Sequence, residues 1–158
     1  MPTLKYTRTA MWLHWLIAGL VFTLFALGWY MVDLPKGPDR GASFALHKSL
    51  GLTVFLLMLW RLGWRLRHAA PPLPDTVPHW QATVARAVHA SFYLLLLLQP
   101  ITGYLSSSYS GYDTALFGIA LPQWGHHNPP LNELFTEIHV LNSMILLGLV
   151  LAHLAGAF

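Results

Sequence analysis

No cysteine occurs among the 158 residues of this chain, which removes disulfides, iron–sulfur clusters and thiol chemistry from consideration. Charge is almost as scarce. Only 9% of the residues are charged, against roughly 25% in an ordinary soluble domain, so most of the surface is not built to face water. The six acidic residues are outnumbered by nine histidines, which leaves little material for chemistry based on paired carboxylates. The formal charge of +3 does not mark a nucleic-acid surface, because the basic residues gather at the ends of apolar runs. The length accommodates one domain, spanning 1–158, and no sizeable soluble domain beside it.

Apolar sequence is what the chain has in abundance, at 55% of residues. A helix needs about 20 apolar residues to cross a hydrocarbon core of roughly 30 Å. Four segments meet that requirement, at about 9–32, 44–64, 81–107 and 134–158. The second is bounded by Lys48 and Arg61, whose long side chains can reach the interface. The third contains Pro100, a candidate kink. A long loop rich in Gly and Pro joins the third and fourth segments, and a short interfacial helix is expected around Thr114 to Ala120. A signal peptide is an alternative reading of the first segment, but its apolar run is too long and lacks a convincing cleavage site. The predicted fold is therefore all-α, an integral membrane four-helix bundle.

Loop charge predicts the orientation. Lys5, Arg8, Arg61, Arg65, Arg67 and Arg86 lie on one side with only Asp75 as an acid. Lys36, Arg40 and Lys48 lie on the other, mixed with Asp33, Asp39, Asp113, Glu133 and Glu137. Both termini of this multi-pass chain are thus expected to be cytoplasmic. Trp12, Trp15, Trp29, Trp64, Trp80 and Trp124 fall near span ends, where interfacial aromatics belong.

Ionisable groups inside a span are costly and usually functional. His14, His47, His89, His139 and His153 lie in or at the mouths of the spans, whereas His68, His79, His126 and His127 fall in loops. His139 and His153 share one helix, about 21 Å apart along its axis and only about 40° apart in direction. His47 is level with His139 on the outer side; His14 and His89 are level with His153 on the inner side. Two histidine layers therefore face one interior. Imidazoles opposed across an apolar bundle suit bis-histidine haem ligation. Zinc or copper calls for more ligands converging at one depth, and a proton relay usually adds a buried carboxylate. Histidines merely hydrogen-bonded between helices are the ordinary explanation for one such residue, but five in two layers would each need a separate partner. Ligands also need small neighbours one turn away. His14 has Ala10 and Ala18, and His47 has Ser43 and Gly51; His139 has Phe135 and Ser143, His153 has Leu149 and Ala157, and His89 has Ala85 and the bulky Tyr93. This pairs His14 with His153 and His47 with His139, leaving His89 over, near a quinone or a haem propionate.

The stretches Tyr6-Thr7-Arg8, Trp12-Leu13-His14-Trp15, His47-Lys48-Ser49-Leu50-Gly51, Arg61-Leu62 with Arg65 leading to Pro71-Pro72, Ala87-Val88-His89 and Gln99-Pro100-Ile101-Thr102-Gly103, with the His139/His153 spacing, resemble the bacterial cytochrome b561 family of four-helix dihaem membrane proteins. The resemblance covers almost the whole chain. It implies two haem b groups with His14, His47, His139 and His153 as axial ligands to the iron, and a branch similar to the superoxide oxidases, which pass electrons from superoxide to ubiquinone. Relatives also serve as haem subunits linking a periplasmic dehydrogenase or hydrogenase to quinone. The chain ends at Phe158, before the basic tail usual after the fourth helix in this family, and a shortened C-terminus is expected.

These readings predict electron transfer from an outer to an inner haem. Lys48, with Lys36 and Arg40, is a candidate guide for an anionic donor, or an ordinary interfacial lysine. Arg61 and Arg65 are candidates for quinone or propionate contacts, or simple anchors in lipid headgroups. A non-haem transporter or proton channel is the competing class; four short spans, no visible inverted repeat and no deep carboxylate stand against it.

Overall fold

The computed structural model describes residues 5–68, 71–72 and 76–156. Four long helices dominate it: α1 (Arg8–Asp33), α2 (Pro38–Arg67), α3 (His79–Tyr109) and α4 (Pro129–Ala155). All four are long and apolar enough to cross a membrane. They run longer than their apolar centres because each is started by local chemistry outside the hydrocarbon. Thr7 caps α1 by accepting a hydrogen bond from the Ala10 N–H at 3.2 Å, and Asn128 caps α4 through Leu131 N–H at 3.2 Å. Proline in the first turn starts α2 and α4, where its missing N–H costs nothing. Hence α2 begins at Pro38 and not near Phe44, and α4 at Pro129 and not near Leu134. Residues 157–158 and Asp75, included in the expectations above, lie outside the described residues. Helix α3 continues through Pro100.

One local expectation is corrected. The 114–120 segment is not a helix but a two-stranded antiparallel hairpin, pairing β1 (Ala115–Leu116) with β2 (Ile119–Ala120). Phe117 (φ 49°) and Gly118 (φ 89°) both take left-handed backbone conformations at the turn. Consecutive residues of positive φ are what a tight hairpin needs and what a helix cannot contain.

Packing follows chain order. Helix α1 lies along α2, α2 against α3, and α3 along α4. A buried cluster of Ile17, Val54 and Met58, flanked by Leu24, Tyr93 and Leu97, ties the first three helices together. The α3–α4 pair is instead stitched by polar side chains: Asn132 Nδ2 donates to the Ser106 carbonyl at 2.8 Å, and Asn142 Nδ2 to the Leu95 carbonyl at 3.1 Å. In hydrocarbon such bonds replace the hydrophobic drive that lipid abolishes. Among the described residues, α4 makes no close backbone approach to α1 or α2.

At the end of the bundle that carries both termini, Trp64 Nε1 of α2 donates to Thr7 Oγ1 at 2.9 Å. Thr7 thus serves as helix cap and interhelical acceptor together. Thr7→Ala is expected to cost about 1 kcal/mol and to lower the thermal unfolding midpoint in detergent by roughly 2–4 °C, while Thr7→Ser keeps the wild-type midpoint.

Candidate functional site

The five histidines placed in the spans fall into two groups at opposite ends of the bundle. Near the hairpin end, His47 of α2 faces His139 of α4, with ring centroids 6.2 Å apart and planes at 73°. Near the terminal end, His14 of α1 faces His153 of α4 at 6.3 Å and 79°. Both pairs bridge the interval that separates α4 from α1 and α2. His89 of α3 also borders His153, at 5.7 Å, and Phe92 packs on the same ring at 5.5 Å. Among the described residues, no three His, Asp or Glu side chains converge as a metal-ion cage.

These distances can be tested against a metal held between two imidazoles. A metal–nitrogen bond of about 2.0–2.1 Å, with the ring centre about 1.2 Å further in, puts two ring centres about 6.5 Å apart when they bind from opposite sides. Both facing pairs meet that requirement. The side chains one turn either side of His14 and His47 are small, Ala10 and Ala18 for the one and Ser43 and Gly51 for the other.

The hairpin-end pair is the more elaborately supported. The His139 Nδ1–H donates to the Gln99 carbonyl at 2.9 Å. Gln99 Nε2 returns a bond to the His139 carbonyl at 3.0 Å, and Asn142 Nδ2 donates to Gln99 Oε1 at 2.5 Å. Holding the proton on Nδ1 leaves Nε2 free as a ligand, the usual role of an outer partner of a metal-bound histidine. His47 Nδ1, by contrast, is buried with no hydrogen-bond partner among the described residues, an unpaired polar atom that has to be accounted for.

Glycines on the neighbouring helices admit both rings. A Cβ at Gly103 would stand 2.9 Å from His139 Cε1, and one at Gly28 would stand 3.5 Å from His47 Cε1. Gln99, Asn142, Gly103 and Gly28 were not singled out for this role by sequence reasoning. Neighbours four residues away on the same helix are visible in a sequence, but partners on another helix need the interhelical register. The Gln99-to-Gly103 stretch is the one signal that pointed toward them.

The remaining candidates are distributed as follows. Lys48 is half-buried beside His47 in sequence, and its Nζ reaches the Asp113 carbonyl at 3.5 Å. Arg40 Nη1 is occupied by the Leu34 carbonyl at 2.8 Å, and Lys36 is exposed. Arg61 Nη1 donates to the Ala10 carbonyl at 2.7 Å, one turn from His14. Arg65 is exposed at the same end. Of the loop histidines, His68 stacks on Trp64 at 4.0 Å, and the His127 ring lies over Gly111.

Comparison with known proteins decides the family. Residues 5–158 match the prokaryotic cytochrome b561 family. The chain belongs to that family. It is 38% identical over 113 residues to cytochrome b561 homolog 2 of Escherichia coli K12, covering 66% of this chain and 56% of that protein. It is 28% identical over 158 residues to cytochrome b561 homolog 1 of the same organism, covering 97% and 87%. A probable superoxide oxidase, CybB, of Yersinia pestis is 26% identical over 140 residues, covering 87% and 77%. The chain thus aligns with little more than half the length of one of these relatives. Membership makes this a membrane electron-transfer protein and implies haem b as its cofactor, a group that the facing histidine pairs fit in number, spacing and chemistry.

The glycine contacts generate a paired test. Gly103→Ala forces the His139 ring from its place and is expected to lower haem per chain, measured as pyridine haemochrome. Gly28→Ala makes only ordinary contact and is expected to retain the wild-type content.

Proposed function

We propose that this cytochrome b561 family member carries electrons through two b-type haems, from superoxide on the periplasmic side to ubiquinone, with both termini in the cytoplasm of a bacterial inner membrane. The observation that carries the proposal is the pair of facing histidines at each of two levels across the same interval. His47 and His139 would hold the haem at the hairpin end, and His14 and His153 the haem at the terminal end. Haem supplies the one-electron couple at each level, and the protein supplies ligation, orientation and a dry environment.

The support for superoxide is of two kinds. One relative bears the name probable superoxide oxidase, and the cationic Lys36 and Lys48 stand at the hairpin end, where positive potential favours the approach of an anion. Two superoxide anions would each give up one electron and leave as dioxygen; ubiquinone takes up two electrons and two protons. His89, Arg61 and Arg65 lie at the terminal end beside His14 and His153. There they would hold a quinone carbonyl or a haem propionate. The basic residues at that end, set against the mixed charge at the other, support the cytoplasmic assignment.

The deciding measurement is a reduced-minus-oxidised spectrum of the purified protein with haem quantified per chain. Two b-type haems, reduced by superoxide and reoxidised by ubiquinone, are expected; no haem in protein made with haem available would sink the proposal. Two haems inert to superoxide would redirect it toward a docked dehydrogenase or hydrogenase as donor. His139→Ala and His14→Ala are each expected to leave one haem, with different residual spectra, whereas His89→Ala retains both. Lys48→Gln is expected to slow reduction by superoxide severalfold and to flatten its dependence on ionic strength.

A further inference from the structure

The loop between α3 and α4 presents large apolar side chains where a solvent-facing loop would carry polar ones. Phe117 is 62% exposed, Ile119 68% and Trp124 65%. These residues do not project away from the bundle. The Phe117 N–H donates to Ser49 Oγ of α2 at 3.0 Å, and the Tyr104 hydroxyl of α3 donates to the Pro122 carbonyl. Trp124 meets the Tyr104 ring edge-on at 5.4 Å. The loop therefore folds back along the outside of α2 and α3.

Helix lengths give the depth of those attachments. At 30 and 31 residues, α2 and α3 are each about 45 Å long and overhang a hydrocarbon core of roughly 30 Å by about 7 Å at each surface. Ser49 lies about 16 Å from the start of α2, and Pro100 about 13 Å from the end of α3. Both are below the surface. Trp124 shares an apolar cleft of about 80 Å³ with Leu52, Phe55, Pro100, Ile101 and Tyr104. A groove at that level on the outside of two spanning helices opens toward the acyl chains.

We infer that residues 115–124 are a membrane-embedded element seated in the hairpin-side leaflet, with Phe117, on Ser49, and Ile119 among the acyl chains below the headgroups and Trp124 over a cleft that takes a phospholipid acyl chain. The backbone is prepared for that environment. Unpaired N–H and C=O groups are costly in lipid, and here strand pairing, the Phe117–Ser49 bond and the Leu121 N–H to Thr114 carbonyl bond at 2.9 Å satisfy several of them. Trp and Tyr at the boundary are the side chains that combine an apolar body with a polar tip. The inference does not depend on the haem ligands or on the electron donor.

The absence of cysteine makes the test direct. Ile119→Cys and, separately, Phe117→Cys carry a nitroxide in otherwise unaltered, haem-loaded protein in nanodiscs of phosphatidylethanolamine and phosphatidylglycerol. Collision rates with dioxygen and with a water-soluble nickel chelate are then read by EPR power saturation. Leu141→Cys, on the exposed face of α4, serves as the lipid reference, and Lys36→Cys as the aqueous one. High dioxygen and low nickel accessibility at both hairpin sites, as at Leu141, is the expected result. Nickel accessibility equal to that at Lys36 would overturn the inference by placing the hairpin in water. Low accessibility to both reagents would overturn it too, since a protein surface and not lipid would then cover the segment.

Discussion

In a hydrocarbon medium an imidazole has no water to fall back on, and the helical backbone has already used its own donors and acceptors. A histidine there must find a partner or a metal, and the arrangement of α4 follows from that requirement. Helix α4 packs on α3 through amide and carbonyl bonds while standing off α1 and α2. Two histidine pairs face each other across the interval. Some hydroxyls of the spans are satisfied on their own helix: Thr23 returns its hydroxyl to the Gly19 carbonyl and Thr53 to that of Ser49, each at 2.9 Å. Such back-bonding neutralises a hydroxyl at little cost. An imidazole cannot hide in this way, because its ring is too large to fold onto its own helix.

Helix α3 is consequently more than a spacer. Gln99 accepts the His139 proton on its main-chain carbonyl and braces the backbone of α4 with its side chain. Asn142 holds that amide in place, and Gly103 clears the space for the ring. The helix that provides no member of either facing pair thus governs the orientation of one of them. At the opposite end its contribution is different: His89 and Phe92 pack against His153. The two levels of the bundle are therefore unlike in their surroundings, although each is built on one histidine pair of similar separation.

The four spans were legible because membrane insertion imposes a length and an apolar composition that any single segment reveals on its own. The grouping of histidines was legible for a related reason. Helical rise and pitch turn the spacing of His139 and His153 into a depth and a direction without reference to any other helix. The hairpin was not legible. Thr114 to Ala120 was expected to form a helix, and the outcome turned on Phe117 adopting a positive φ beside Gly118. A β-ribbon of two residues per strand has little intrinsic stability, and this one is held by Ser49 and Thr114.

Sequence by itself determined that this chain crosses a membrane four times and carries histidines at two depths, because both follow from one-dimensional spacing and the geometry of a single helix. The pairing of His14 with His153 and of His47 with His139 was already read from neighbour size, and the tertiary structure supplied the separations of the rings. It also showed that Gln99 and Asn142 stand behind His139, and that the 115–124 loop lies back against α2 and α3. Those facts depend on the register and separation of neighbouring helices. In lipid that register is set by close packing and a few interhelical hydrogen bonds, contacts between residues far apart in the chain.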